Sequence, residues 1–180
     1  MELVVYGDFN CPYSCLASAR ADALVGRGVA AVEWRAVEHD PSIPAPSEPV
    51  DGDLATMLDR EVAEVRGLLR PGEVFPISRP PVHPNSAASV AAFAASPPDR
   101  SHALRRRVFE ALWFDGRDIG DRTVLAELGA GEATDAVERA AAWRDEWLRF
   151  DRRVVPMLVL PDGYVSRGLG ALGRLADLAS

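Results

Sequence analysis

The chain has 180 residues, 48% of them hydrophobic and 26% charged, and its formal net charge is -7 although 20 residues are basic, all of them Arg. That length and apolar content suffice for one buried core, and the negative balance excludes a broad nucleic-acid surface, which needs a concentrated positive field. No stretch approaches the roughly 18 apolar residues of a membrane span, and the N-terminus has no basic region followed by an apolar run, so a cytoplasmic protein is expected.

Leu3 to Tyr6 form a short apolar run stopped by Gly7 and Asp8, which predicts a strand. After Pro12, helical spacing of Leu16, Ala19, Ala23 and Leu24 runs to Gly26 and Gly28. From Ala30 to Val37, Val32, Trp34 and Ala36 alternate with Glu33 and Arg35, the period of a second strand. The three together predict a right-handed βαβ unit. Four prolines, Pro41, Pro44, Pro46 and Pro49, then mark an exposed connector that continues neither ladder.

A second helix is predicted on the stripe Leu54, Leu58, Val62, Val65 and Leu69, with Asp51 or Asp53 to cap it. A further proline-rich loop from Arg70 leads to Asn85, which can cap an Ala-rich helix to about Ala95. More helices are expected at about Asp99 to Phe114, Asp121 to Leu128 and Thr134 to Phe150, with the basic run Arg105 to Arg107 on a solvated face. The segment VVPMLVL then reads as a strand, PDG as a turn, YVSRG as an antiparallel return and Ala171 to Ala179 as a last helix. The order is β-α-β, helices, β-β-α. It predicts an α/β chain of one domain over 1–180, with a core of 1–40 and 152–180 and an all-helical insertion at about 50–150.

Cys11 falls where the first strand turns into the first helix, and Pro12 occupies the first helical position, where its missing amide hydrogen costs nothing. Cys11 is thus the N-cap residue, and the free amides of Tyr13 and Ser14, with the helix dipole, favour a thiolate there. Ser14 is placed either to hydrogen-bond the sulfur or to help cap the helix. Cys15 lies four residues from Cys11 on the same helix face, suited either to a strained disulfide with Cys11 or to packing beneath the helix. None of His39, His83 and His102 has ligand spacing to these cysteines, so no metal site is expected. Trp113, Trp143 and Trp147 read as packing residues.

The stretch DFNCPYSCLA resembles the active-site turn of the DsbA/FrnE-like family of thioredoxin-fold proteins, which carry Cys-Pro-x-Cys at this junction. Cys11 and Pro12 match; Ser14 stands where the family has its resolving cysteine, and Cys15 falls one residue late. Pro12, Tyr13 and Ser14 instead resemble the Ser-Pro-Tyr-Ser turn of the related 2-hydroxychromene-2-carboxylate isomerases and kappa-class glutathione transferases. A second match is RRVVPMLVL, similar to the family's cis-proline loop, with Val155 before Pro156. HPNSAASVAAF and ALWFDGRDIGDRTVLAELG resemble family helices, so the likeness covers nearly the whole chain.

The resemblance implies a thioredoxin-like fold, βαβ and ββα split by the helical insertion. It also implies that Val155 and Pro156 face Cys11 and that Asn85 lies near the ligand cleft with Pro12 and Tyr13. The implied activity is thiol-disulfide exchange at Cys11, monothiol because Ser14 cannot resolve a mixed disulfide. No tightly bound cofactor is expected. The expected partners are a disulfide-containing peptide or a small-molecule thiol such as glutathione, with no nucleic acid and no membrane. The alternatives are a glutathione-dependent isomerase or transferase, and a catalytically quiet binding protein, which could be a homodimer.

Overall fold

A computed structural model describes residues 1–131 and 135–179. The elements in chain order are β1 (Glu2–Gly7), α1 (Pro12–Gly26), β2 (Ala31–Ala36), β3 (Glu48–Pro49), α2 (Gly52–Gly67), β4 (Val82–His83), α3 (Ala87–Ala94), α4 (Pro98–Trp113), α5 (Arg122–Glu127), α6 (Ala136–Leu148), β5 (Met157–Val159), β6 (Val165–Arg167) and α7 (Leu169–Leu178). The main sheet has the order β2-β1-β5-β6. In it β1 runs parallel to β2 and antiparallel to β5, and β6 returns antiparallel to β5. This is the expected split of βαβ from ββα, with α2 to α6 between the halves. The expected start of α6 at Thr134 lies outside the described residues.

Alternation along β1 divides the interior. Leu3 and Val5 enter a large core with α1, α4 and α7, while Tyr6, with Val4 against it, enters a smaller cluster holding Cys11, Val37, Trp147, Val155 and Met157. Because successive strand side chains point to opposite faces, the two hydrophobic masses lie on the two sides of the sheet. β5 repeats the division, with Leu158 in the large core and Met157 in the small one.

Three expectations need correction. The proline-rich connectors do carry a ladder, since Glu48 and Pro49 pair antiparallel with His83 and Val82; Pro49 fits because a two-residue ladder demands few amide donors. Ala19 and Ala23 are exposed, and α1 instead buries Cys15, Leu16, Ala17, Ser18, Arg20, Ala21 and Leu24. Arg105 is not on a solvated face. It is fully buried, donating from Nε to Ser18 Oγ at 2.9 Å, pairing closely with Asp22, and lying 5.1 Å over the Trp34 ring. Arg106 and Arg107 are exposed as expected. Trp113 is core, its indole N–H donating to the Phe9 carbonyl at 2.9 Å.

Candidate active site

The site is a tight turn between β1 and α1. Asp8 accepts the Cys11 amide on its carbonyl at 3.2 Å, and its own amide donates to Ser14 Oγ at 3.2 Å. Cys11 is the N-cap residue of α1 in extended geometry, and Pro12 opens the helix. Gly7 just before the turn cannot be larger, because a Cβ there would meet Trp34 Cζ2 at 2.2 Å. The second half of the site comes from the segment before β5. Val155–Pro156 is a cis peptide bond, as is Ala45–Pro46. The Cys11 thiol donates a long, weak hydrogen bond of 3.9 Å to the Val155 carbonyl, and the Pro156 carbonyl accepts the Gly168 amide at 2.8 Å.

A resting thiolate at Cys11 is not what this environment favours. Burial pushes the thiol up to about 11, and the charge of Asp8 adds to the rise; the Ser14 hydroxyl and the amides of Ser14 and Tyr13 pull the other way without overcoming it. The amides do point at the sulfur as expected, but desolvation outweighs them. Nor is Cys11 open to solvent: it is 8% exposed, and the cavities of about 560 and 620 Å³ are lined by residues elsewhere.

The remaining expected residues divide by their partners. Ser14 is fully buried at the sulfur. Tyr13 donates its hydroxyl to Glu64 Oε2 of α2 at 2.6 Å, and burial, with Glu64 next, raises its pKa. Cys15 packs in the large core, whereas Cys11 belongs to the small one, and both are free thiols. Burial raises the Cys15 pKa as well. Asn85 is spent on structure. Its Oδ1 accepts the Ala87 amide at 2.9 Å at the start of α3, and its Nδ2 donates to Glu38 Oε1 at 3.0 Å and the Ile43 carbonyl at 2.8 Å.

Residues missed from the sequence crowd the same turn. Trp147 of α6 packs in the Cys11 cluster with its indole N–H unpartnered. Next to it, Glu146 accepts the Tyr6 hydroxyl at 3.1 Å and pairs closely with Arg35. Asp8 is fully buried and accepts the ring Nδ1–H of His39 at 2.6 Å. The parallel register, Gly7 opposite Ala36, carries Asp8 and His39 off the ends of adjacent strands on the same side of the sheet, a signal available in the sequence once β1 and β2 are paired. Among the described residues no group of three His, Cys, Asp or Glu is arranged to hold a metal, and no helix is long and apolar enough to cross a membrane.

The family model of the DSBA-like thioredoxin domain matches residues 2–146. Against the curated proteins the chain finds no match. Among solved structures, a probable DsbA oxidoreductase from Streptomyces coelicolor superposes with a TM-score of 0.73 at 20% identity, over 99% of this chain and 88% of that one. A 2-hydroxychromene-2-carboxylate isomerase gives 0.67 at 21% identity over 100% of both chains. The cytosolic disulfide reductase DsbM from Pseudomonas aeruginosa, solved with GSH, gives 0.66 at 24% identity, over 99% of this chain and 96% of that one. At these identities the likeness shows a shared fold.

Proposed function

Because the chain belongs to the DSBA-like thioredoxin domain family, we propose that it is a monothiol thiol-disulfide oxidoreductase acting through Cys11 in a reducing, cytoplasmic compartment. The observation that carries this reading is the placement of the Cys11 sulfur at the start of α1, facing the Val155 carbonyl and within reach of the Ser14 hydroxyl and the Ser14 and Tyr13 amides. Those donors are aimed where negative charge develops when the thiol ionises.

In the proposed step Cys11 loses its proton to solvent, and the thiolate attacks one sulfur of a substrate disulfide. A Cys11–substrate disulfide forms, the old S–S bond breaks, and the departing thiolate takes up a proton. Ser14 has no sulfur with which to resolve the adduct, and Cys15 is drawn into the other core. A low-molecular-weight thiol such as glutathione therefore attacks next, leaving in a new disulfide with the substrate half and regenerating Cys11. With the thiol near 11, roughly one site in 10⁴ is ionised at pH 7, so partner binding has to uncover the sulfur before exchange becomes fast.

The test is alkylation of Cys11 and Cys15 by iodoacetamide against pH, repeated with a disulfide peptide and with glutathione. Selective labelling of Cys11, with disulfide turnover dependent on added thiol, is the expected result. Equal inertness of both thiols in the presence of both partners refutes the proposal. The protonated Cys11 favours a second reading, a glutathione-dependent isomerase or transferase, in which the small thiol is the reacting sulfur and Cys11 donates a hydrogen bond. That reading predicts glutathione binding that survives Cys11→Ser, without disulfide turnover.

A further inference from the structure

We propose that the pair of buried Asp8 and solvent-accessible His39 sets the reactivity of Cys11, with His39 a positioning residue whose charge masks Asp8 from the sulfur. This rests on Cys11 being the reactive thiol. Asp8 Oδ2 takes two donors from His39, the backbone amide at 2.8 Å and ring Nδ1 at 2.6 Å, and Oδ1 takes the Asn10 amide at 3.4 Å. The same residue ties down both ends of the catalytic turn, through its carbonyl to the Cys11 amide and its amide to Ser14 Oγ. A fully buried carboxylate is thus held in the same turn as the atom that must become an anion, and its like charge opposes that ionisation.

His39 is the group placed to cancel it. Its side chain keeps 37% of its surface, and it faces Asp8 from the turn after β1, Asp40 in its own loop, Glu61 on α2 and His83 on β4. Burial alone would lower the His39 pKa, but the Asp8 hydrogen bond and charge, with Asp40 and Glu61, together carry it above the ordinary value. His83 goes the other way. Burial dominates there and, helped by repulsion from His39, outweighs the Asn10 carbonyl, Asp8 and Asp40, which pull the other way. Of the two histidines flanking the turn, His39 is therefore the one whose surroundings favour the protonated ring. While the ring is protonated, Cys11 ionises beside a neutral pair; once the proton is lost, Cys11 must ionise beside a net negative charge.

Two consequences follow for the pH profile of Cys11 alkylation. In the unaltered protein, log rate rises with pH at a slope below one while His39 titrates, because each loss of its proton makes the sulfur harder to ionise. His39→Gln, which removes the cation at a partly exposed position, raises the Cys11 pKa and slows alkylation about tenfold at neutral pH, one unit of pKa. Asp8→Asn removes the like charge and with it the dependence on His39, so alkylation no longer slows as the ring loses its proton and the slope stays at one, and the double variant follows Asp8→Asn. A histidine that merely packs predicts slowing or unfolding in every variant.

The profiles are read by intact mass on the full chain, with the His39 ring titration followed by NMR in the unaltered protein, so the inference stays testable should Asp8→Asn fail to fold. A slope of one throughout, or a profile unmoved by His39→Gln, overturns the proposal while leaving thiol exchange at Cys11 standing. Failure of Cys11 to label in the unaltered protein overturns the thiol reading itself.

Discussion

Replacing Glu146 by glutamine is expected to make Cys11 easier to label without unfolding the protein. Glu146 joins α6 to the sheet by accepting the Tyr6 hydroxyl and pairing with Arg35, whose Nη1 also donates to the Tyr6 hydroxyl at 2.9 Å. Its neighbour Trp147 packs with Cys11 in the small core, so these contacts hold α6 over the sulfur. Glu146 is 41% exposed and Arg35 21% exposed, so water screens the pair, and it is worth about 1 kcal/mol, the top of the surface range and well short of a buried pair. Arg35 keeps Glu33 at 2.9 and 3.0 Å, so no cation is orphaned. A loss of about 1 kcal/mol shifts a local opening equilibrium about fivefold. Iodoacetamide labelling at fixed pH, followed by intact mass, is expected to run about fivefold faster at Cys11 and unchanged at Cys15. The difference should shrink in high salt. Equal Cys11 rates in the two proteins, or parallel acceleration of Cys15, would refute the idea that α6 covers the site.

Ser14→Cys creates a Cys-Pro-Tyr-Cys turn, and on oxidation Cys11 is expected to form a disulfide with the introduced thiol, seen by mass, with a gain in oxidase activity toward a reduced peptide; no bridge would mean that the side chain at 14 is not held at the Cys11 sulfur. Gly7→Ala pushes a methyl into Trp34 and is expected to cost roughly 1–3 kcal/mol by overpacking, read as a lowered Tm. Arg105→Met leaves Asp22 without its partner and should cost about 3 kcal/mol, the low end for a broken buried pair, because Asp22 keeps 26% of its side-chain surface; an unchanged denaturation midpoint would show that the pair is not worth its burial.

The architecture was legible where periodicity is long. The apolar run of β1, the alternation in β2 and the stripe of α2 matched those elements nearly to the residue, and Asp121 starts α5 as its position suggested, accepting the Thr123 amide at 2.7 Å. Two-residue ladders such as β3 and β4 have no period to detect. Arg105 was hidden by its charged neighbours, although it shares a helical face with the buried Val108 and Leu112, three and seven residues on. At the site, the turn chemistry of Cys11, Pro12 and Ser14 is local and could be read from ten residues. What covers the sulfur is not local: Val155 comes from 144 positions away, and Trp147 looked like any packing residue. The balance between helix amides, which favour a thiolate, and desolvation, which opposes it, is settled by those distant side chains.

α1 sends its two sulfurs into separate hydrophobic masses, one on each side of the sheet. A bridge between Cys11 and Cys15 would drag one of them out of its apolar surroundings and disturb the first turn of the helix. On the proposed chemistry, the chain therefore has no private store of oxidising equivalents, and whatever it takes from a substrate it holds as a covalent passenger. Its turnover is then set by the supply of free small thiols around it, which makes its rate a readout of the cell's thiol pool.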